Sequence, residues 1–372
     1  MSDKVLMKGN EAAAEAAIRA GCRYFFGYPI TPQTEVSAYM AKKMPKIDGV
    51  FLQAESEVAA INMVFGAAGA GARAMTSTSS PGFSLKQEGV SYIAGADLPC
   101  VILDVVRAGP GLGGIQAAQS DYFQVTKGGG HGDYRLIVLA PSTVQEMATF
   151  TALAFDLADK YRNPALVLSD GILGQMMEPI DFDDVEAGFD PSKIRDFSDK
   201  PWATTGTNCK RGQNLIKSIN TNPVELEQEN IERYAKYAEV EKNEKRCETI
   251  GVENADVLFV AYGTSARICK NTIELLKKER VTAKLFRPIT LWPFPDDALK
   301  LAAKNVKAVV VVEMSHGQMI EDVRLNIQDK PIYFSGRSGG MIPLPADIAK
   351  VAIDAVSVIK NDGSNTYEGG RE

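Results

Sequence analysis

The chain has 372 residues, of which 45% are hydrophobic and 24% charged, with a net charge of −6. This is ordinary for a folded protein of two or three domains, and an acidic balance without a basic run excludes a nucleic-acid footprint. Two histidines and five cysteines without C-x-x-C spacing exclude a histidine-rich metal site and a self-contained iron–sulfur cluster. No stretch is apolar enough to span a membrane and the N-terminus lacks the apolar core of a signal peptide, so a cytoplasmic location is expected.

From about residue 10 to 180, short apolar runs alternate with amphipathic ones. The pattern predicts helices over 10–20 and 143–160, the second capped by Ser142, and strands over 101–106, 136–140 and 165–168. Such strands between helices predict a largely parallel, doubly wound α/β sheet. Residues 181–222 are turn-rich and polar. A charged helix follows over 222–246, opened by Asn222 and Pro223, with a thin apolar stripe of Ile231, Tyr234 and Ala238. It reads as a solvated linker. Beyond it, strands over 257–262, 283–287, 306–312 and 331–334 alternate with helices near 265–279, 296–304 and 346–359, a second α/β unit. The expected division is a domain over 1–190, a polar segment and linker over 191–250, a second domain over 251–360 and a frayed tail over 361–372.

Three segments carry candidate chemistry. The first is YPITPQTEV, residues 28–36, where Pro29 and Pro32 stiffen the backbone on either side of Thr31. Such a turn aims the Thr31 hydroxyl with little ordering entropy left to lose, although Thr31 could equally cap a helix begun by Pro32. The second is QAESEVAAINMVFGAAGAGARAMTSTSSPG, in which Glu57 opens a helix rich in alanine and glycine, suited to close packing. A glutamate there could simply complement the helix dipole. Glu55 reads as an exposed turn acid, and Thr76–Ser80 as a hydroxyl-rich strand end closed by Pro81 and Gly82. The third is Gly109–Gly114, which satisfies G-x-G-x-x-G. Pro110 inside that turn and Gly128–Gly130 downstream argue against a dinucleotide site, and with it against an NAD-dependent enzyme. Nor is there a phosphate-binding G-x-x-x-x-G-K-[ST] loop, and Asp170-Gly171 lacks the further residues of a diphosphate–magnesium motif.

With KGNEAAAEAAIRAGCRYFFGYPITPQTE, GPGLGG, QSDYFQVTKGGGHGDYRLIVLAPS, AYGTSAR, FRPITLWPFP and VVVVEMSHGQM, these segments resemble the α subunit, the pyrimidine-binding chain, of the 2-oxoacid:ferredoxin oxidoreductases, over essentially the whole length. The resemblance implies a thiamine-diphosphate pyrimidine-binding fold followed by a transketolase-C-like domain. It implies that Glu57 bonds N1′ of the cofactor's aminopyrimidine, promoting the imino tautomer whose 4′-nitrogen takes the thiazolium C2 proton. Tyr28, Pro29 and Gly82 would border the cofactor, and Thr31 would contact the 2-oxoacid. His131, in the glycine-bounded loop GGGHGDYR, would reach the same cleft, a surface histidine being the alternative. The substrate-side arginine that pyruvate-specific relatives place in this neighbourhood is replaced by Gly-His-Gly-Asp. His316 is given no catalytic role.

The implied activity is oxidative decarboxylation of a 2-oxoacid with coenzyme A, giving acyl-CoA, carbon dioxide and reduced ferredoxin. Its substrate type is closest to the branched-chain enzymes acting on 3-methyl-2-oxobutanoate, with the 2-oxoglutarate type second and a non-catalytic scaffold subunit a remote third. Partner chains are expected to complete the site. A β subunit would bring the diphosphate half, Mg2+ and a 4Fe–4S cluster, alongside γ and small ferredoxin-like subunits; no metal is assigned to this chain.

Overall fold

A computed structural model describes residues 4–183, 185, 199–207 and 210–362. In chain order the first half comprises β1 (Val5–Lys8), α1 (Gly9–Arg19), β2 (Tyr24–Gly27), α2 (Thr34–Lys43), β3 (Val50–Gln53), α3 (Glu57–Gly69), β4 (Ala74–Thr78), α4 (Ser80–Gly95), β5 (Cys100–Val106), α5 (Tyr122–Thr126), β6 (Ile137–Leu139), α6 (Val144–Tyr161), β7 (Pro164–Asp170), α7 (Gly171–Gln175) and β8 (Met177–Ile180). The long helix α8 (Pro223–Asn243) leads to β9 (Cys247–Gly251), β10 (Val257–Val260), α9 (Gly263–Leu276), β11 (Ala283–Pro288), β12 (Thr290–Trp292), α10 (Asp296–Ala303), β13 (Ala308–Glu313), α11 (Met319–Asn326), β14 (Ile332–Gly336) and α12 (Pro345–Asp362). The tail from 363 and Cys209 lie outside the described residues.

The larger sheet has the order β12-β6-β7-β5-β4-β2-β3, parallel except for the antiparallel pair β12–β6. All seven residues of β5 and of β7 are buried, as expected of parallel strands covered on both faces. The alanines of α1 (Ala12, Ala13, Ala14, Ala16, Ala17) are fully buried and let that helix lie against α6. Gly89 performs the same service between α4 and α3, since a β-carbon there would stand 2.4 Å from Ile61 Cγ2. The second sheet has the order β14-β13-β10-β11-β9, with β9 antiparallel. The chain is thus mixed α/β with two doubly wound units.

These units are joined by more than α8. Strand β12 returns to the edge of the first sheet, and Gln119 bridges the two. Its amide donates to Tyr262 O at 2.9 Å and accepts from Ser265 Oγ at 2.7 Å and Met314 N at 2.9 Å. Arg287, 2% exposed, reaches from β11 to form two 2.7 Å bonds with the Glu146 carboxylate on α6.

Several local expectations are corrected. Helix α2 begins at Thr34 after Gln33, not at Pro32, so Thr31 caps nothing. The α6 cap is Thr143, whose Oγ1 accepts from Glu146 N at 3.1 Å, while Ser142 is held by the Glu146 carboxylate. Strand β4 stops at Thr78, and Ser80, Pro81 and Gly82 start α4; the proline stands at a first-turn position where its missing N–H costs nothing. Asn222 does cap α8, accepting from Val224 N at 3.1 Å. The buried face of α8 is Arg233, Tyr237 and Val240, while Ile231, Tyr234 and Ala238 face solvent. A buried arginine misled the hydropathy reading: Arg233 donates to Gly95 O at 2.9 Å and pairs with Asp97.

Candidate functional site

Four loops leave the carboxyl ends of the adjacent parallel strands β3, β2, β4 and β5, and each brings one candidate group to the same edge of the sheet. Open α/β sheets bind their ligands at this edge. Glu57 follows β3, Thr31 follows β2, Gly82 follows β4, and Arg107 follows β5 directly.

The turn after β2 is fixed by an internal bond and by bonds from three elements, α1, α7 and β4. Asn10 Nδ2 and Gln175 Nε2 donate to Pro32 O at 2.8 and 3.2 Å, Gln33 Nε2 donates to Tyr28 O at 3.2 Å, and Ser77 Oγ donates to Gln33 Oε1 at 2.5 Å. Pro32 and Gln33 are buried, Tyr28 is half-buried, and Pro29 and Thr31 are exposed. No bond among the described residues occupies the Thr31 hydroxyl. The turn therefore presents that hydroxyl outward from a rigid base.

Glu57 is the first residue of α3, after Ser56, whose Oγ accepts from Ala59 N at 3.2 Å. It is 4% exposed, yet among the described residues no hydrogen-bond donor meets its carboxylate. Its Oε1 lies 2.6 Å from where a β-carbon of Gly82 would stand, and Thr78 Oγ1 lies 2.3 Å from the same point. The Thr78 and Ser79 hydroxyls are buried without partners. Two orphaned buried hydroxyls cost stability unless a ligand satisfies them. This donor and acceptor set fits the nitrogen-rich face of an aminopyrimidine. Glu55 is exposed, as expected.

Two groups were missed at the sequence level. Arg107, 9% exposed, donates from Nη1 to Thr31 O at 3.1 Å and from Nη2 to Leu112 O at 2.8 Å, while its Nε has no partner. A guanidinium thus stands beside Thr31, although none was found in the 128–133 loop. Lys86, fully buried on α4, donates to Glu57 O at 3.4 Å, and burial pulls its ammonium down to about 8 against the attraction of Glu57 and Asp104. The available signal was its helical spacing, four residues after Gly82.

The remaining candidate side chains make no bond to this cluster among the described residues. His131 is exposed, and no bond among the described residues joins it to Thr31 or Glu57. Its loop is pinned to α4, with Gly130 N donating to Tyr134 Oη at 3.0 Å and Tyr134 Oη donating to Gln87 Oε1 at 3.0 Å. His316 follows β13, has its Nε2 2.8 Å from Ser338 Oγ, and lines a crevice of about 390 Å³ between the two units, together with Ser80, Pro81, Asp121 and Gln124. After Gly109–Gly114 no helix opens until Tyr122, so the glycine pattern does not build a dinucleotide turn. Asp170 caps α7 and accepts from Thr264 Oγ1 at 2.6 Å, which uses both of its oxygens. Cys22, Cys100 and Cys269 are buried thiols, the first two pushed up to about 12 by burial. No described helix is long and apolar enough to cross a membrane.

Comparison with known proteins agrees with this geometry. Residues 15–248 match the family model "Pyruvate flavodoxin/ferredoxin oxidoreductase, thiamine diP-bdg", and residues 255–348 match "Pyruvate:ferredoxin oxidoreductase core domain II". The ketoisovalerate oxidoreductase subunit VorB of Methanothermobacter thermautotrophicus is 48% identical over 90% of this chain and 93% of its own. The 2-oxoglutarate synthase subunit KorA of Archaeoglobus fulgidus is 40% identical over 86% of this chain and 90% of its own. Among solved structures, the 2-oxoglutarate:ferredoxin oxidoreductase from Magnetococcus marinus, with 2-oxoglutarate, coenzyme A and succinyl-CoA bound, superposes with a TM-score of 0.85 at 31% identity, over 95% of this chain and 66% of that one. A split-gene transketolase shares the fold alone, with a TM-score of 0.59 at 14% identity over 94% of this chain and 98% of that one.

Proposed function

The chain belongs to the 2-oxoacid:ferredoxin oxidoreductases, and we propose that it is the α subunit of a branched-chain member, one that converts 3-methyl-2-oxobutanoate and coenzyme A to acyl-CoA and carbon dioxide while reducing ferredoxin. The observation that carries this reading is Glu57, a buried carboxylate without a donor at the start of α3, facing Gly82 across a gap too narrow for a β-carbon. The higher identity to the ketoisovalerate subunit than to the 2-oxoglutarate subunit supports the branched-chain substrate over 2-oxoglutarate.

Thiamine diphosphate, when bound, supplies the electron sink that lets a 2-oxoacid lose carbon dioxide. Glu57 would hold or share a proton at the pyrimidine N1′. Gly82 keeps the approach to that carboxyl open, and Tyr28 and Pro29 would border the ring. The Thr31 hydroxyl and the Arg107 guanidinium would orient the substrate carboxylate, a pairing that matches the planar donor fork of arginine. His131 would act from the rim.

A 4Fe–4S cluster is assigned to a β subunit because the cysteines of this chain are dispersed and those at 22, 100 and 269 are buried, and magnesium and the diphosphate cradle are assigned there because the sequence lacks a diphosphate–magnesium motif. γ and small ferredoxin-like subunits would complete the complex, in the cytoplasm. The test is a steady-state assay of the purified complex with both oxoacids, following coenzyme A-dependent ferredoxin reduction. A higher kcat/KM for 3-methyl-2-oxobutanoate is expected. A preference for 2-oxoglutarate overturns the substrate, and no reduction with either overturns the reading.

A further inference from the structure

The segment Gly109–Gly114 builds no dinucleotide turn, yet it is a fixed loop directly after Arg107. Ala108 N donates to Gln116 O at 2.8 Å, Gly114 N donates to Ala108 O at 2.9 Å, and Arg107 pairs with Ala117 in an antiparallel bridge. The loop is thus closed at its base. Gly111 and Gly113 have φ of 70° and 56°, and a β-carbon on Gly113 would stand 1.7 Å from Ala108 O, so the turn depends on glycine. At the tip the surroundings change. Added β-carbons on Gly109 and Gly111 would find nothing within 4 Å, and the long apolar side chain that enters this open space is Leu112, 80% exposed.

Leu112 is tied to the substrate side of the site through its own backbone. The Arg107 guanidinium donates from Nη2 to Leu112 O at 2.8 Å and from Nη1 to Thr31 O at 3.1 Å. One planar group therefore holds the loop and the Thr31 turn against each other. Gly109, Pro110 and Gly111 also line the crevice of about 390 Å³, so the loop opens onto the cleft between the two units.

We propose that Leu112 is the apolar wall that selects a branched 2-oxoacid. This role rests on the functional reading above, in which Thr31 and Arg107 orient the substrate carboxylate. With the carboxylate on that fork, the branched end of 3-methyl-2-oxobutanoate lies about 4 Å away, across three carbon–carbon bonds of ~1.5 Å. A leucine side chain reaches about as far from its own carbonyl, and Leu112 O is itself bonded to the guanidinium. The methyl groups of the substrate would meet an alkyl side chain. The distal carboxylate of 2-oxoglutarate would find no donor on it and would lose water without compensation. The flanking glycines bring no competing side chain to the same space.

The test compares Leu112→Ala with wild type in the assembled complex. The side chain is exposed and its tie to Arg107 is made by the backbone, so the substitution should leave the fold and the loop in place. The ratio of kcat/KM for 3-methyl-2-oxobutanoate to that for pyruvate, which lacks both methyl groups, should fall by ~10-fold, the low end of what a lost apolar contact is worth. Calorimetric titration with 3-methylbutanoate and with propanoate, in which CH2 replaces the reacting carbonyl, should show the preference for the branched acid reduced alike. Unchanged ratios in both measurements overturn the wall. Unchanged ratios with weakened assembly also overturn it, by making Leu112 a contact to a partner chain. A wild-type complex inactive with every oxoacid overturns the functional reading. The titration needs no turnover and still decides the wall: a lowered preference in Leu112→Ala supports it, and an unchanged one overturns it.

Discussion

Gly82 faces the Glu57 carboxyl so closely that any β-carbon at position 82 would meet Glu57 Oε1 at 2.6 Å and Thr78 Oγ1 at 2.3 Å. Glycine here is a requirement of space, not of backbone conformation, since it lies in the first turn of α4. Gly82→Ala should displace the carboxyl and abolish most oxoacid-dependent ferredoxin reduction. Its overpacking cost should stay within about 1–3 kcal/mol, so thermal unfolding would still show a folded chain. Full activity in Gly82→Ala would show that the Glu57 carboxyl need not stay where it is.

Thr31→Val separates a substrate contact from a structural role. The hydroxyl bonds nothing within the described residues and caps no helix, so the melting temperature should hold. The loss of a hydrogen bond to substrate should raise KM or slow turnover by an equivalent of about 1–3 kcal/mol. A fall in stability with unchanged kinetics would contradict this placement.

Arg287→Met tests the joint between the two units. The guanidinium is buried and bidentate on Glu146, whose half-buried carboxylate keeps its bonds from Ser142, so removing the arginine should cost less than the ~3–5 kcal/mol of a fully buried pair. Denaturant unfolding should show that loss. Arg287→Met with Glu146→Leu should recover much of it.

Asp256 supplies a pH signature in the second unit. Burial pushes its carboxyl up, but bonds from Lys307 at 2.6 Å and Thr282 Oγ1 at 2.7 Å outweigh this and hold it at about 2, below the ordinary 3.8. A folded-state value below the unfolded one gives stability that is present above pH 3.8 and lost as pH falls toward 2. Asp256→Asn should flatten stability against pH across that window. An unchanged acid limb would remove Asp256 from the account.

Most of the α/β alternation was legible because β5, β7, β10 and β13 are buried over their whole lengths and read as apolar runs. Strand β3 was not, since it lies at the sheet edge with exposed Val50 and Leu52 and carries no burial pattern. Helix α4 was hidden because a Ser-Pro-Gly opening reads as a turn until the chain beyond it is known to pack. Thr31 and Glu57 stand as candidates on proline spacing and on the resemblance, and the fold brings both to one edge of the sheet. Arg107 and Lys86 were not legible, because their roles depend on which strands become neighbours. The pairing of β5 with β4, and of β4 with β2, brings Arg107 to the turn after β2, and no local pattern encodes it.

The central claim is that Glu57 provides the acid of a thiamine-dependent oxoacid oxidoreductase whose site is completed by partner chains. The most direct measurement is the rate of 3-methyl-2-oxobutanoate-dependent ferredoxin reduction by the assembled complex carrying Glu57→Gln, a substitution that keeps size and shape and removes the acid. The account predicts an intact complex whose turnover falls by ~10²–10⁴-fold, the range of general acid–base contributions. Assembly with near-wild-type turnover would contradict it.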